Sequence, residues 1–265
     1  MDILRRSASL ITPEAWEELD GQAKKVLSAN LSARRFADVI GPKGWTYSAH
    51  PTGRLDLSTG QSPGGVQFGV NRVMPLVESR YTFDMDIWEL DNISRGAKDP
   101  DLSSLEKAAK EIALFEENAV YKGLSAAGIQ GLASIASERS VTIEGDSGQS
   151  LSLVNAISAG IFTFQQDAVE GPYALVASPK VWKTVYSSVP GYPISKHVGN
   201  LVEKIILSTQ DESYLVSLRG GDFELVLGQD LSLGFEERDG GKVRLFFAES
   251  FTFRVITPEA VIALK

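Results

Sequence analysis

Residues 219–256 alternate between apolar and polar or smaller side chains. Phe223, Leu225 and Leu227 form one run, Leu231, Leu233 and Phe235 a second, and Phe251, Phe253 and Val255 a third. A period of two sends alternate side chains to one face, which predicts half-buried antiparallel strands. Asp239-Gly240-Gly241 supplies the turn between two of them. Near the start of the chain the period is helical instead. Thr12 is placed to cap a helix, Pro13 suits its first position, and Glu14 complements its dipole. Trp16, Leu19, Ala23, Val26, Leu27 and Leu31 follow at helical spacing. This helix is expected to end before Gly41-Pro42, with Arg34, Arg35 and Asp38 on its polar end.

Residues 53–72 read as a long hairpin with a loose tip. Leu55 and Leu57 alternate with Arg54 and Asp56, and Val66, Phe68 and Val70 alternate with Gln67 and Gly69. A lone two-stranded hairpin is marginal in water, and its edges invite pairing. It either folds back on its own domain or lies as an arm on a neighbouring subunit. Tyr81, Phe83, Met85 and Ile87 form one face of a strand running to Trp88. Ser103-Ser-Leu-Glu106 is a capping-box pattern opening a second long helix, with Leu105, Ala109, Ile112, Phe115 and Ala119 as its buried stripe. A third helix is predicted over 151–167 and a buried central strand over 173–177. Short helices near 179–188 and 195–204 flank the loop Val189-Pro-Gly-Tyr-Pro193. Strands at 205–209 and 213–218 lead into the tail. Helices sit mid-chain and strands at both ends, so the class is α+β, with distant strands pairing into two intertwined lobes.

Composition narrows the function. The 265 residues can bury one elaborate domain or two intertwined ones. The net charge of −8, from 26 basic and 34 acidic residues, argues against nucleic acid as main partner. The absence of Cys excludes disulfides, thiolate zinc sites and thiol nucleophiles, and fits a cytosolic protein. No stretch approaches a membrane span, and the first residues do not read as a signal peptide.

Candidate chemistry is thin. Gly60-Gln-Ser62-Pro-Gly64 matches a nucleophile-elbow pattern, but in a hairpin tip rather than between strand and helix. Gly145-Asp-Ser147-Gly148, with His50 upstream, resembles the nucleophile region of trypsin-like proteases but sits in a common Gly/Ser turn. Only His50 and His197 are available as imidazoles, in no metal-binding spacing, so no metal site is expected. Glu116-Glu117 reads as a solvated helix face, and Trp88-Glu-Leu-Asp91 as a packed strand end.

Several segments together resemble the encapsulins, bacterial and archaeal nanocompartment shell proteins also called linocin-type bacteriocins. They are Gly41-Pro-Lys-Gly-Trp-Thr-Tyr-Ser-Ala-His-Pro51, Trp88-Glu-Leu-Asp-Asn92, Glu170-Gly-Pro-Tyr-Ala-Leu-Val176, Arg219-Gly-Gly-Asp-Phe223, Leu227-Gly-Gln-Asp-Leu-Ser-Leu-Gly234 and Glu249-Ser-Phe-Thr-Phe-Arg-Val255. The resemblance implies the tailed-phage major-capsid fold. Residues 1–40 would be an N-terminal arm and helix, and 41–52 with 73–131 a peripheral domain. The spine helix would be 103–124, the extended β-hairpin loop 53–72 and the axial domain 132–217, with 218–265 as return strands of the peripheral domain. Identical subunits would close into an icosahedral shell of about 60 copies or a multiple.

The resemblance also implies partners and sites. Family members enclose a cargo enzyme, of iron-storage or peroxidase type, through the cargo's C-terminal targeting peptide. Leu27, Leu31, Arg34, Asp38, Leu231 and Leu233 match the docking wall, with Arg34 and Asp38 setting the peptide's direction. Pro190, Gly191, Tyr192 and Pro193 would lie near a five-fold pore. Some relatives bind flavin, for which Arg80, Trp88 and Tyr192 stand at comparable positions; no cofactor is required. The competing readings are a phage capsid protein that packages DNA and a serine hydrolase acting through Ser147.

Overall fold

The computed structural model describes residues 3–57, 64–144, 150–187 and 193–265. Among these residues, two five-stranded sheets and a separate two-stranded one organise the fold. The first sheet contains β1 (Asp38–Ile40), β4 (Val77–Asp86), β9 (Phe223–Leu227), β10 (Ser232–Asp239) and β11 (Lys242–Val255). β11 is its axis: β4 pairs with it antiparallel from Asp86 to Val77, while β10 and then β9 pair along its other side. The tight turn Gly240-Gly241 joins β10 to β11, with Gly240 at φ 55° as such turns require. Helices α1 (Pro13–Asn30), α2 (Ile87–Ser94) and α3 (Ser103–Tyr121) cover one face.

The second sheet has the order β5 (Ser140–Val141), β12 (Val261–Leu264), β8 (Ser213–Ser217), β6 (Tyr173–Ala177), β7 (Lys204–Leu207). With it go α4 (Leu132–Ile135), α5 (Ser150–Gln166), α6 (Pro179–Val185) and α7 (Ile194–Leu201). The two-stranded sheet is β2 (Ala49–Leu57) with β3 (Gly69–Pro75).

The inward row of β11 runs through both hydrophobic cores. Val243, Leu245 and Phe247 pack with α1 and α3, whereas Phe251 and Phe253 enter the core of the second lobe. Glu249 has the same inward parity and interrupts the apolar row where the two cores meet.

The elements depart from expectation where side chains compete for the backbone. Thr12 does cap α1, accepting from Ala15 N–H. But α1 ends at Asn30, because Ser32 Oγ and Ala33 N–H both donate to the Glu117 carboxylate and draw the chain out of the helix. Arg34 therefore lies in a 3-10 turn (Ala33–Arg35), and Asp38 opens β1, which runs parallel to β9. β4 stops at Asp86, whose carboxylate accepts from Trp88 N–H at 2.8 Å, so Ile87 and Trp88 belong to a helix rather than a strand. The capping box at Ser103 does not form: Leu102 holds the cap position and Glu106 accepts from Gln22 at 2.7 Å. The buried stripe of α3 takes Glu116 and Glu117, while Phe115 is partly exposed. That helix stops at Tyr121, short of 124; Gly123 follows with φ 89°. Finally, β12 pairs with β8 and β5, so the chain's last strand lies in the second sheet rather than with the other tail strands.

Candidate functional site

An open groove of about 550 Å³ lies between α1 and the start of β10. Ala23, Leu27 and Leu31 supply one wall; Leu231, Leu233 and Phe247 supply the other. Helical spacing puts Ala23, Leu27 and Leu31 on one face, and Leu231 and Leu233 share strand parity. Five of the six residues predicted for docking, Leu27, Leu31, Arg34, Leu231 and Leu233, thus line one groove. Asp38 does not. Its carboxylate accepts from Gly221 N–H at 2.6 Å, at the β1–β9 side, because the chain has already left the helix.

Arg34 sits at the end of this groove but is committed inward. Its guanidinium reaches Glu116 at 2.5 Å, Glu249 at 2.6 Å and Asp230 at 2.7 Å. Glu116 and Glu249 are 0% exposed, whereas Asp230 stands half-exposed at the rim. One cation facing three carboxylates leaves excess negative charge in a dry site, which a proton relieves. Burial, reinforced by Glu116, accordingly holds Glu249 well above the usual carboxylate range. Its Oε2 has no hydrogen-bond partner among the described residues. Burial alone would lower the Arg34 pKa, but the hydrogen bond and charge of Glu116, with Glu249 and Asp230, raise it. Beside this hub, burial pushes Glu117 up to about 7 despite hydrogen bonds from Ser32 and Ala33. Ser32 Oγ also meets Tyr121 Oη at 2.7 Å. Arg34 therefore braces the groove floor and has little left with which to direct a peptide.

Glu116, Glu117 and Glu249 are all buried, and the sequence carried a signal for two of them. Glu249 keeps parity with Leu245, Phe247 and Phe251, and Glu116 stands one turn after Ile112 on the α3 stripe. Charge alone argued for solvent; periodicity argued for the core, and periodicity was right.

Residues 1–252 match the family described as an encapsulating protein for peroxidase. Over its whole length the chain is 34% identical to the type 1 encapsulin shell protein of Rhodospirillum rubrum, covering 97% of it. It is 33% identical to that of Mycobacterium tuberculosis, each chain being covered in full. The chain belongs to the encapsulin shell-protein family. Among solved structures it resembles a virus-like particle from Pyrococcus furiosus, with TM-score 0.66 and 17% identity over 95% of this chain and all of the other. The capsid of the Myoviridae phage XM1 follows, at TM-score 0.58 and 14% identity over 89% and 92%. These two likenesses are of fold, and the fold is that of tailed-phage capsids.

As an encapsulin the chain is a structural subunit of a capsid-like particle rather than an enzyme. Its hairpin suits self-association. Among the described residues β2 and β3 pair only with one another, and Leu55, Leu57, Val66, Phe68, Val70 and Val73 are all exposed.

The other expected sites of this encapsulin are less complete. Arg80 stacks its guanidinium over Phe246 at 4.2 Å, and Trp88 is 66% exposed on α2. Arg80 and Asp86 are six residues apart on β4, about 20 Å along the strand, and Trp88 follows on α2. Pro190, Gly191 and Tyr192 lie outside the described residues; Pro193 is exposed and precedes α7. Ser62 and Ser147 also lie outside them. His50 Nδ1 meets Tyr47 Oη at 3.0 Å, and its Nε2 lies 3.9 Å from Glu224. Among the described residues no group of His, Asp and Glu is placed to hold a metal, and no helix is long and apolar enough to cross a membrane.

Proposed function

We propose that this chain closes into an icosahedral shell of about 60 copies or a multiple, which encloses a peroxidase-type or iron-storing cargo enzyme in the cytosol. The cargo enters by a C-terminal peptide lying in the groove between α1 and β10. The observation that carries this reading is the groove itself: apolar walls of Leu27, Leu31, Leu231, Leu233 and Phe247, with Lys24, Asp20 and Asp230 at the rim. Alternate apolar side chains of an extended peptide suit such walls, and rim charges suit its polar positions. The family description favours a peroxidase as cargo. Confinement would keep oxidant chemistry away from the rest of the cell. Packaging of DNA shares the fold, but a net charge of −8 opposes it.

The test is light scattering with negative-stain microscopy on the chain expressed alone. Uniform hollow spheres of megadalton mass are expected. A monomer or small oligomer overturns the shell reading.

A further inference from the structure

The β10 wall of the groove is a sheet edge, since β10 ends the strand order β1-β9-β11-β10. On an antiparallel strand the N–H and C=O of one residue share a side, and that side alternates along the strand. Leu233 and Phe235 direct theirs outward, away from β11, as two contacts show. Arg6 Nε donates to Leu233 C=O at 2.8 Å, and Phe235 N–H donates to Leu4 C=O at 2.8 Å. Arg6 is itself held by two hydrogen bonds to Asp20, at 2.6 and 2.7 Å, and lies 4.4 Å over the Trp16 ring. The N-terminal segment thus closes the edge at 233–235.

The same edge is open one step upstream. Among the described residues no group accepts from Leu233 N–H, and none donates to Leu231 C=O. The Leu231 N–H is folded back onto Asp230 Oδ1 at 2.8 Å. Leu231, Ser232 and Leu233 line the groove, and a backbone N–H without a protein acceptor there is left for a ligand to satisfy. An open donor and an open acceptor therefore flank Ser232 on the groove wall.

We propose that the groove clasps the backbone of an extended peptide running parallel to β10. One peptide residue, opposite Ser232, donates its N–H to Leu231 C=O and accepts Leu233 N–H on its own C=O. In a parallel pair a residue bonds the two neighbours of the residue it faces, which is the arrangement offered here. The inference rests on the docking reading above and deepens it. The ligand is extended main chain; a helix has already spent these groups on itself. Leu4 and Arg6 end the register, so the clasp is one residue long. That residue cannot be proline, which lacks the N–H. Arg6 is a positioning residue that sets where the peptide stops.

The probe is a fluorescent protein ending in Gly-Ser-Leu-Gly-Leu-Ser-Leu-Gly, co-expressed with the full chain. Residue-resolved hydrogen exchange on loaded and empty shells should show the Leu233 amide slowed about tenfold or more by loading, with the Phe235 amide unchanged. A proline scan of the tail should cut loading about tenfold at one position, where alanine is tolerated. Unchanged Leu233 exchange in shells that load normally overturns the clasp and leaves docking standing. The docking reading itself is read separately, by Leu231→Asp and by Ser28→Trp, which fills the groove from an exposed position. If both variants load like the parent, or if the probe is excluded from parent shells, docking falls and the clasp with it.

Discussion

Arg34 Nη2 and Glu249 Oε1 lie 2.6 Å apart although 215 residues separate them in sequence. Around that contact the 3-10 turn after α1, the helix α3, the strand β11 and the approach to β10 are tied together through Glu116, Glu249 and Asp230. The hub lies beneath the groove and between the two cores. Its charges are held by geometry that folding alone assembles.

Replacing Arg34 by Met should cost about 3–5 kcal/mol, because Glu116 and Glu249 would stay buried without their cation. The expected outcome is a large fall in thermal midpoint and poor assembly. Intact but empty shells would mean instead that Arg34 serves docking directly. Glu249→Gln should be milder than Arg34→Met, because burial raises the Glu249 pKa and a neutral amide spares the dry site a charge.

Glu117 predicts a pH dependence with a definite sign. Its carboxyl titrates near 7 in the fold against an ordinary 4.5, so the folded state holds the proton more tightly. The stabilising contribution is full below pH 4.5 and is lost as pH rises through 7, about 3 kcal/mol in all. Glu249 acts in the same direction. Thermal midpoints from pH 4.5 to 8 should fall less for Glu117→Gln than for the parent; parallel curves would remove Glu117 from the account.

Phe68→Ser with Val70→Ser should impair assembly while sparing the subunit fold, because both side chains are already exposed in the isolated chain. Each apolar side chain buried at a contact contributes about 1.5–3 kcal/mol. The subunit concentration needed for shells should therefore rise at least about tenfold. Light scattering reads assembly and circular dichroism reads fold; normal assembly would dismiss the hairpin as an interface.

Leu27→Asp should abolish cargo retention, whereas Asp38→Ala should leave it unchanged and loosen only the turn at Gly221. The ratio of cargo to shell after purification measures both. Loss of loading in Asp38→Ala would return that residue to the docking site.

Much of this was legible in one dimension. The family resemblance put Leu27, Leu31, Leu231 and Leu233 on one wall; from the residues themselves, Thr12 and Pro13 opened α1 and the alternation of the tail marked β9, β10 and β11. These signals are local, and propensity, capping and parity act within a few residues. Misreadings came where a distant group competed for the backbone or for a charge. The carboxylate of Glu117 ended α1 early, Gln22 took Glu106 out of its capping box, and Asp86 turned Trp88 into a helical residue.

Sequence by itself determined the period of each element, the absence of thiol chemistry, the acidic balance and the family likeness. Only the tertiary structure decided that Arg34 is the cation that meets Glu116 and Glu249 in the core, that β12 belongs to the second sheet, and that Asp38 is remote from the groove. The reason is physical. A charge can enter a core only when its partner arrives from another part of the chain, and no local rule reports that meeting.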